Sequence, residues 1–176
     1  AQAVRFEGVL DFGDLGSTRE GTLGFYYETK EAGFATLNEE ITEDQELIGL
    51  AADIALTERA DLAVSADQFT RDGVAHRTEA DVALSYALSD RLETEGGLAF
   101  LDQNTVGSAA ETGERLDAAV KLTYGISDDA TIFGFVQQTV LREGGLDRNN
   151  RAGFGGVAQL SDRVGVSGEV SDGDGG

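Results

Sequence analysis

The chain has 176 residues and a formal net charge of −20, with 33 acidic residues against 11 Arg and 2 Lys. That balance, with the basic residues scattered, excludes a nucleic-acid partner, because phosphate backbones are bound by clustered Lys and Arg. The absence of cysteine excludes disulfides, thiolate metal sites and thiol nucleophiles, and no apolar run approaches the ~18–20 residues of a membrane helix.

Twenty-four Gly without a single Pro suits long, regular strands, since Pro cannot donate to a ladder. Ten strands are predicted, near residues 3–13, 20–30, 45–56, 60–69, 76–88, 91–101, 115–126, 130–141, 150–160 and 163–171, each bounded by turn-forming residues. In the first, Val4, Phe6, Gly8, Leu10 and Phe12 alternate with Arg5, Glu7, Val9 and Asp11. In the third, Ile48, Leu50, Ala52, Ile54 and Leu56 oppose Gly49, Ala51, Asp53 and Ala55. The fifth sets Thr78, Ala80, Val82, Leu84, Tyr86 and Leu88 against Arg77, Glu79, Asp81, Ala83, Ser85 and Ala87. The sixth carries Arg91, Glu93 and Glu95 on its charged side. The seventh opposes Leu116, Ala118, Val120, Leu122, Tyr124 and Ile126 to Arg115, Asp117, Lys121 and Thr123. The eighth, ATIFGFVQQTVL, is apolar on both faces, and its register is left open. The ninth separates Ala152, Phe154, Gly156, Ala158 and Leu160 from Arg151, Val157 and Gln159. The tenth separates Val164, Val166, Gly168 and Val170 from Arg163, Ser167 and Glu169. A period of two with one charge-free face is the signature of β structure. The stretch ATLNEEITEDQEL is the one plausible helix, and it reads equally well as an acidic loop.

A hinge recurs through the chain. VALSYALSDRL matches VKLTYGISDDA in the pattern V-x-L-[ST]-Y-x-[LI]-S-D, and LTERA and LSDRV are looser copies. The acidic positions are 58, 90, 128 and 162, so the hinge returns every 32 to 38 residues, about two strands and two connections apart. Short turns are expected at 14–18, 57–59, 89–90, 127–129 and 161–162, and longer polar connections at 31–44, 70–75, 102–114 and 142–149. This describes an all-β, antiparallel up-and-down meander.

Alternation does not by itself say whether the apolar face looks inward, as in a soluble sandwich or barrel, or outward to lipid. Four features favour lipid, one of them the contrast between short turns at one end and long loops at the other, as in bacterial barrels. Most strands are long enough for a tilted membrane crossing of ~9–11 residues. Arg stands beside Asp or Glu on one face, among Ala, Ser and Gly, as in a crowded hydrated lumen. The other face stays free of charge. On this reading Arg5, Glu7, Asp11, Arg77, Glu79, Asp81, Arg91, Glu93, Glu95, Arg115, Asp117, Lys121, Arg151, Arg163 and Glu169 line a lumen. Val82, Leu84, Tyr86, Leu88, Leu116, Val120, Leu122, Tyr124, Phe154, Val164 and Val166 then face lipid, with Tyr86 and Tyr124 just before short turns, where an interfacial girdle belongs.

The S-D-R hinges, the GEVSDGDGG ending and the Arg/acid pattern resemble the outer-membrane β-barrel regions of large proteobacterial cell-surface proteins, particularly alphaproteobacterial ones. The resemblance runs from about Gln45 onward and rests on hairpin pattern rather than a signature motif. It implies a bacterial outer-membrane location. Such barrels end in a strand with a terminal aromatic, whereas this chain ends in Gly176, so residues 1–176 read as one barrel domain or a fragment cut at a C-terminal loop. Further strands of a longer parent chain are then expected partners.

Other candidate chemistry is sparse. The single histidine, His76, lies at a loop–strand junction without the Gly-x-Ser-x-Gly context of a nucleophile elbow. GFGGVA matches a loose dinucleotide fingerprint, but it falls inside an alternating strand, where its glycines would relieve crowding instead. Asp172 and Asp174 in SDGDGG are candidate calcium ligands, without EF-hand spacing or a closing Glu. The opening AQAVRFEG has neither a basic nor an apolar region of a signal peptide. The expected function is structural or porin-like, favouring cations, with the lipid bilayer as partner, no cofactor and no catalysis. The alternative is a soluble secreted adhesion or binding module with its apolar face inward.

Overall fold

The computed structural model describes residues 1–35, 37, 40–161 and 163–174. Ten strands form one sheet in sequence order: β1 Ala3–Asp11, β2 Gly21–Lys30, β3 Gln45–Thr57, β4 Ala60–Arg71, β5 Ala75–Ser89, β6 Leu92–Thr105, β7 Ser108–Ser127, β8 Ala130–Gly144, β9 Arg151–Ser161 and β10 Val164–Gly173. Every strand pairs antiparallel with its neighbours in sequence, so the chain is an up-and-down meander. β1 and β10 are the two edges, each with one paired side. The expected helix falls partly outside the described residues, and its described remainder holds an isolated Ala35–Glu40 bridge and the start of β3.

The recurring hinge has a physical basis. At each copy the Ser or Thr hydroxyl accepts a hydrogen bond from the backbone N–H two residues on: Thr57 from Arg59 at 3.2 Å, Ser89 from Arg91 at 3.3 Å, Ser127 from Asp129 at 3.3 Å and Ser161 from Arg163 at 3.4 Å. This local bond closes a turn of two residues between the strands. Asp162 of the fourth copy lies outside the described residues. The residue before the hydroxyl, Leu56, Leu88, Ile126 or Leu160, is skipped by the ladder, so each hinge also carries a β-bulge. Among the described residues no non-Gly residue adopts positive φ, so the described turns need no glycine.

Two expectations are corrected. The connection predicted at 102–114 is strand: β6 runs to Thr105 and β7 starts at Ser108, joined by Val106 and Gly107, the latter at φ 84°. Thr112 accepts from Thr105 N–H at 3.1 Å and donates to Ser108 C=O at 2.9 Å, fastening the arm. Both faces of this arm are polar, so the sequence has no hydrophobic alternation there to read. The expected contrast of short turns at one end and long loops at the other holds in part: four hinge-end turns have two residues, and 31–44 and 145–150 are longer at the opposite end. Residues 12–20 form a long connection at the hinge end, and at the opposite end only three residues separate β4 from β5. Strand pairing continues past the apolar zone instead of giving way to loops.

Among the described residues nothing forms a second layer on the sheet. Ile41, Ala60 and Leu146 are the buried hydrophobic residues among those described, and the exposed surface is 11803 Å², against about 8,000 Å² expected of a compact monomer of this mass.

Candidate functional site: a two-faced wall

The register fixes which residues share a face. One row runs through Ala52, Val64, Val82, Leu98 and Ala118, and neighbouring rows add Leu62–Leu84 and Gly96–Val120–Val136. This face is apolar and uncovered: Val82 is 43% exposed, Leu84 44%, Leu122 49% and Val166 53%. Leu116, Tyr86, Tyr124, Phe154 and Val164 lie on the same side, and the bulged Leu88 is exposed beside its hinge. The dry interior that a soluble module would build from these residues is not formed among the described residues.

The opposite face collects the charges. Arg5, Glu7, Asp11, Arg77, Glu79, Asp81, Glu93, Glu95, Arg115, Asp117, Lys121, Arg151 and Glu169 all project to it by register. Arg91 and Arg163 do not. β6 begins at Leu92 and β10 at Val164, so both arginines sit in hinges, where the Ser hydroxyl bonds their N–H groups. The spacing Arg-x-acid has a direct consequence, because residues i and i+2 of a strand point the same way. Arg5 bonds Glu7 at 2.9 Å and Glu28 of β2 at 3.1 Å; Arg77 bonds Glu79 at 2.5 Å; Arg115 bonds Asp117 at 2.9 Å. Arg151 reaches Glu169 on β10 at 2.5 Å. Among the described residues no basic group lies in ion-pair range of Asp53, Asp61, Asp81, Glu93 or Glu95, which leaves the β3–β6 part of this face acidic.

The eighth strand's register is now assigned. Phe133 and Phe135 share the charged face with Lys121 and Thr123, while Ile132 and Val136 join Tyr124 and Val120 on the apolar side. The two rings stack at 6.5 Å between centroids, with the Lys121 ammonium 5.4 Å from Phe133 and the Arg151 guanidinium 5.2 Å from Phe135. Each ring also lies over a glycine of β9. A Cβ on Gly155 would come within 2.6 Å of Phe133, and one on Gly153 within 2.9 Å of Phe135. Phe25 covers Gly8 and Tyr26 covers Gly49 in the same manner. GFGGVA thus serves as the bed for two aromatic rings and opens no helix. The Tyr26 hydroxyl passes over Gly49 to donate to Asp67 of β4.

Both longer connections at the end away from the hinges are bound to the charged face. Arg71 holds Glu43 at 2.5 Å, and Thr42 bonds the same carboxylate at 2.5 Å. The Thr42 hydroxyl, then the Arg71 guanidinium, hold the Glu43 carboxyl below its ordinary range. A depressed folded-state value means that this tether is fully present above the ordinary Glu range and is lost only as pH falls through the lower folded value. Hydrogen exchange of Ile41 N–H, which donates to Phe34 C=O at 2.8 Å, is therefore expected to be flat after intrinsic-rate correction from pH 7 to about 5, and to accelerate below about pH 4. A Glu43→Gln variant that kept the same acid step would refute the assignment.

Residues 145–150 make the second and denser contact. Asp117, 3% exposed, is the buried polar residue of the described chain. It accepts from Thr139 Oγ1 at 2.7 Å, Arg115 Nε at 2.9 Å and Asn149 Nδ2 at 3.2 Å. Sequence reasoning missed Thr139, Asn149, Tyr26, Asp67, Glu28, Glu43 and Arg71; strand parity could have flagged Tyr26 and Glu28 together on the second strand and Asp67 on the fourth.

His76 lies between Thr70 and Thr78, its Nδ1 3.2 Å and Nε2 3.3 Å from their hydroxyls, at the start of β5. Asp172 lies near the end of β10, and Asp174, just past it, accepts from Asn150 Nδ2 at 3.0 Å. Among the described residues no group of three or more Asp, Glu, His or Cys side chains is arranged to hold a metal.

No protein-family model matches the chain. No curated protein matches it either. Among solved structures, it is similar to a chain described as a KdgM porin in complex with disordered oligogalacturonate, at 9% identity and a TM-score of 0.47, over 97% of this chain and 91% of that one.

Proposed function

We propose that this chain is an outer-membrane β-barrel, or a ten-strand segment of a larger one, with its apolar face to lipid and its Arg/acid face to a hydrated, cation-favouring lumen. The observation that carries the reading is the uncovered apolar face: a continuous greasy surface, with no second layer among the described residues, must be covered from outside the chain. The dimensions fit lipid. The apolar run from Ala80 to Leu88 on β5 is about 30 Å of strand, which at a barrel tilt of ~40° spans ~23 Å, close to the ~25 Å apolar band of such proteins. An open edge is not tolerated in hydrocarbon, so the outer sides of β1 and β10 must be paired there. With ten strands these edges run antiparallel and can pair with each other, or each can take a further strand of a longer parent chain. The acidic stretch over β3–β6 supports the preference for cations. The likeness in sequence pattern to barrel regions of large proteobacterial cell-surface proteins agrees with this placement.

Reconstitution into planar bilayers under a KCl gradient tests the proposal. The expected result is a protein that needs detergent to remain dispersed, and a reversal potential of the sign for K⁺ over Cl⁻. A monodisperse protein in plain buffer would instead favour a soluble adhesion module, and anion selectivity would remove the assigned role of the carboxylates.

A further inference from the structure

The β8–β9 connection does not project from the sheet; it folds back over the charged face and is fastened there at both ends and in the middle. Gly145 N–H donates to Thr112 C=O at 2.8 Å, which ties the start of the connection to β7. Arg142 Nη1 donates to Leu146 C=O at 2.9 Å and Arg115 Nη1 to Asp147 C=O at 3.0 Å. Asn149 N–H donates to Thr139 Oγ1 at 2.8 Å, and Thr139 N–H donates to Asn150 Oδ1 at 3.0 Å. The Leu146 side chain is 6% exposed, although it belongs to a connection at the rim of an uncovered sheet. Asp117 joins these contacts, binding the strap through Asn149 and the wall through Thr139 and Arg115. The ladder between β7 and β8 shifts beside Asp117 and Thr139, where the bulged Val140 interrupts the pairing. That bulge turns Thr139 into position to bond both the carboxylate and the strap.

We infer that residues 145–150 form a constriction strap across the charged face, with Asp117 as its latch. The inference rests on the lumen reading proposed above: if the charged face lines a pore, the strap occupies part of its cross-section at the end away from the hinges. Asp117 is a positioning residue. Its acceptor oxygens are shielded from water, so removing them leaves Thr139, Arg115 and Asn149 without a shared partner.

Two readouts test the latch and the pore separately. Trypsin cleavage after Arg148, an exposed residue of the strap, reports release of the strap whether or not the protein conducts. Asp117→Ala is expected to raise the initial cleavage rate at Arg148 by about tenfold or more, as loss of hydrogen bonds to a charged group would give. Asn149→Ala, which leaves every wall residue in place and guards against failed assembly, is expected to raise it by a smaller factor. Single-channel conductance should rise in the same order. Equal cleavage rates in all three proteins would overturn the latch. Faster cleavage with unchanged conductance, in a wild type that conducts, would overturn the constriction. A wild type that does not conduct would defeat the pore reading and the constriction with it, while the cleavage ratio would still decide the latch.

Discussion

Leu122→Arg is expected to prevent assembly into a bilayer, and Thr123→Arg, one residue away, is expected to be tolerated. Leu122 lies near the middle of the apolar run from Leu116 to Ile126 on β7, on the uncovered face, while Thr123 points to the charged face beside Glu93 and Phe133. A basic residue at the bilayer midplane costs roughly 2–4 kcal/mol, a large part of the stability of a domain this size. Leu84→Arg on β5 should behave like Leu122→Arg. The measurement is refolding into lipid vesicles followed by gel mobility without heating, which separates folded from unfolded barrel. If Leu122→Arg and Thr123→Arg refold equally well, the assignment of the two faces is wrong.

Gly155→Val is expected to be strongly destabilising although it leaves every charge on this face untouched. A Cβ at Gly155 would meet Phe133 at 2.6 Å and the Gly168 carbonyl at 2.5 Å, so neither ring nor backbone leaves room for it. Overpacking of this kind costs about 1–3 kcal/mol. Gly49→Val should act alike through Tyr26, and would also break the Tyr26–Asp67 hydrogen bond. Gly96→Ala and Gly168→Ala are the matched controls, because a Cβ there meets nothing within 4 Å. Combining Gly155→Val with Phe133→Ala should recover part of the loss, since the carbonyl contact remains. Urea midpoints of the four single variants and the double variant decide the point; equal midpoints for Gly155→Val and Gly96→Ala would show that the ring does not need its glycine.

The legible parts of this protein are those in which one face is wet and the other dry. β5 and β7 alternate cleanly because Glu79 and Asp81, or Asp117 and Lys121, contrast with Val82, Leu84, Val120 and Leu122. The same period explains why the i, i+2 pairs Arg5–Glu7, Arg77–Glu79 and Arg115–Asp117 could be read as one side of a wall. β8 resisted assignment because Phe133 and Phe135 stand among the charges, where their glycine beds on the next strand accommodate them. A reading that asked which aromatic opposes Gly153 and Gly155 would have placed it. The arm from Leu101 to Glu114 was hidden for the opposite reason: both faces are polar, so its backbone ladder leaves no hydrophobic trace. The contacts of Glu43 and Asn149 were out of reach because both residues sit in connections, whose shape follows no period.

That arm has a mechanical consequence. From the last greasy row, Phe100 beside Leu116, β6 continues for five residues, up to about 17 Å along the strand. β5 pairs with β6 as far as Thr105, so the arm continues a three-strand ladder and bends less than a free loop, although on the β7 side residues Ala109–Thr112 stand against the single Asn104. Val106 at the tip is 70% exposed, yet its N–H is held by Val74 C=O at the height of the β4–β5 turn. The rim over β5–β7 is therefore built of strand rather than loop, and it carries Asp102, Glu111 and Glu114.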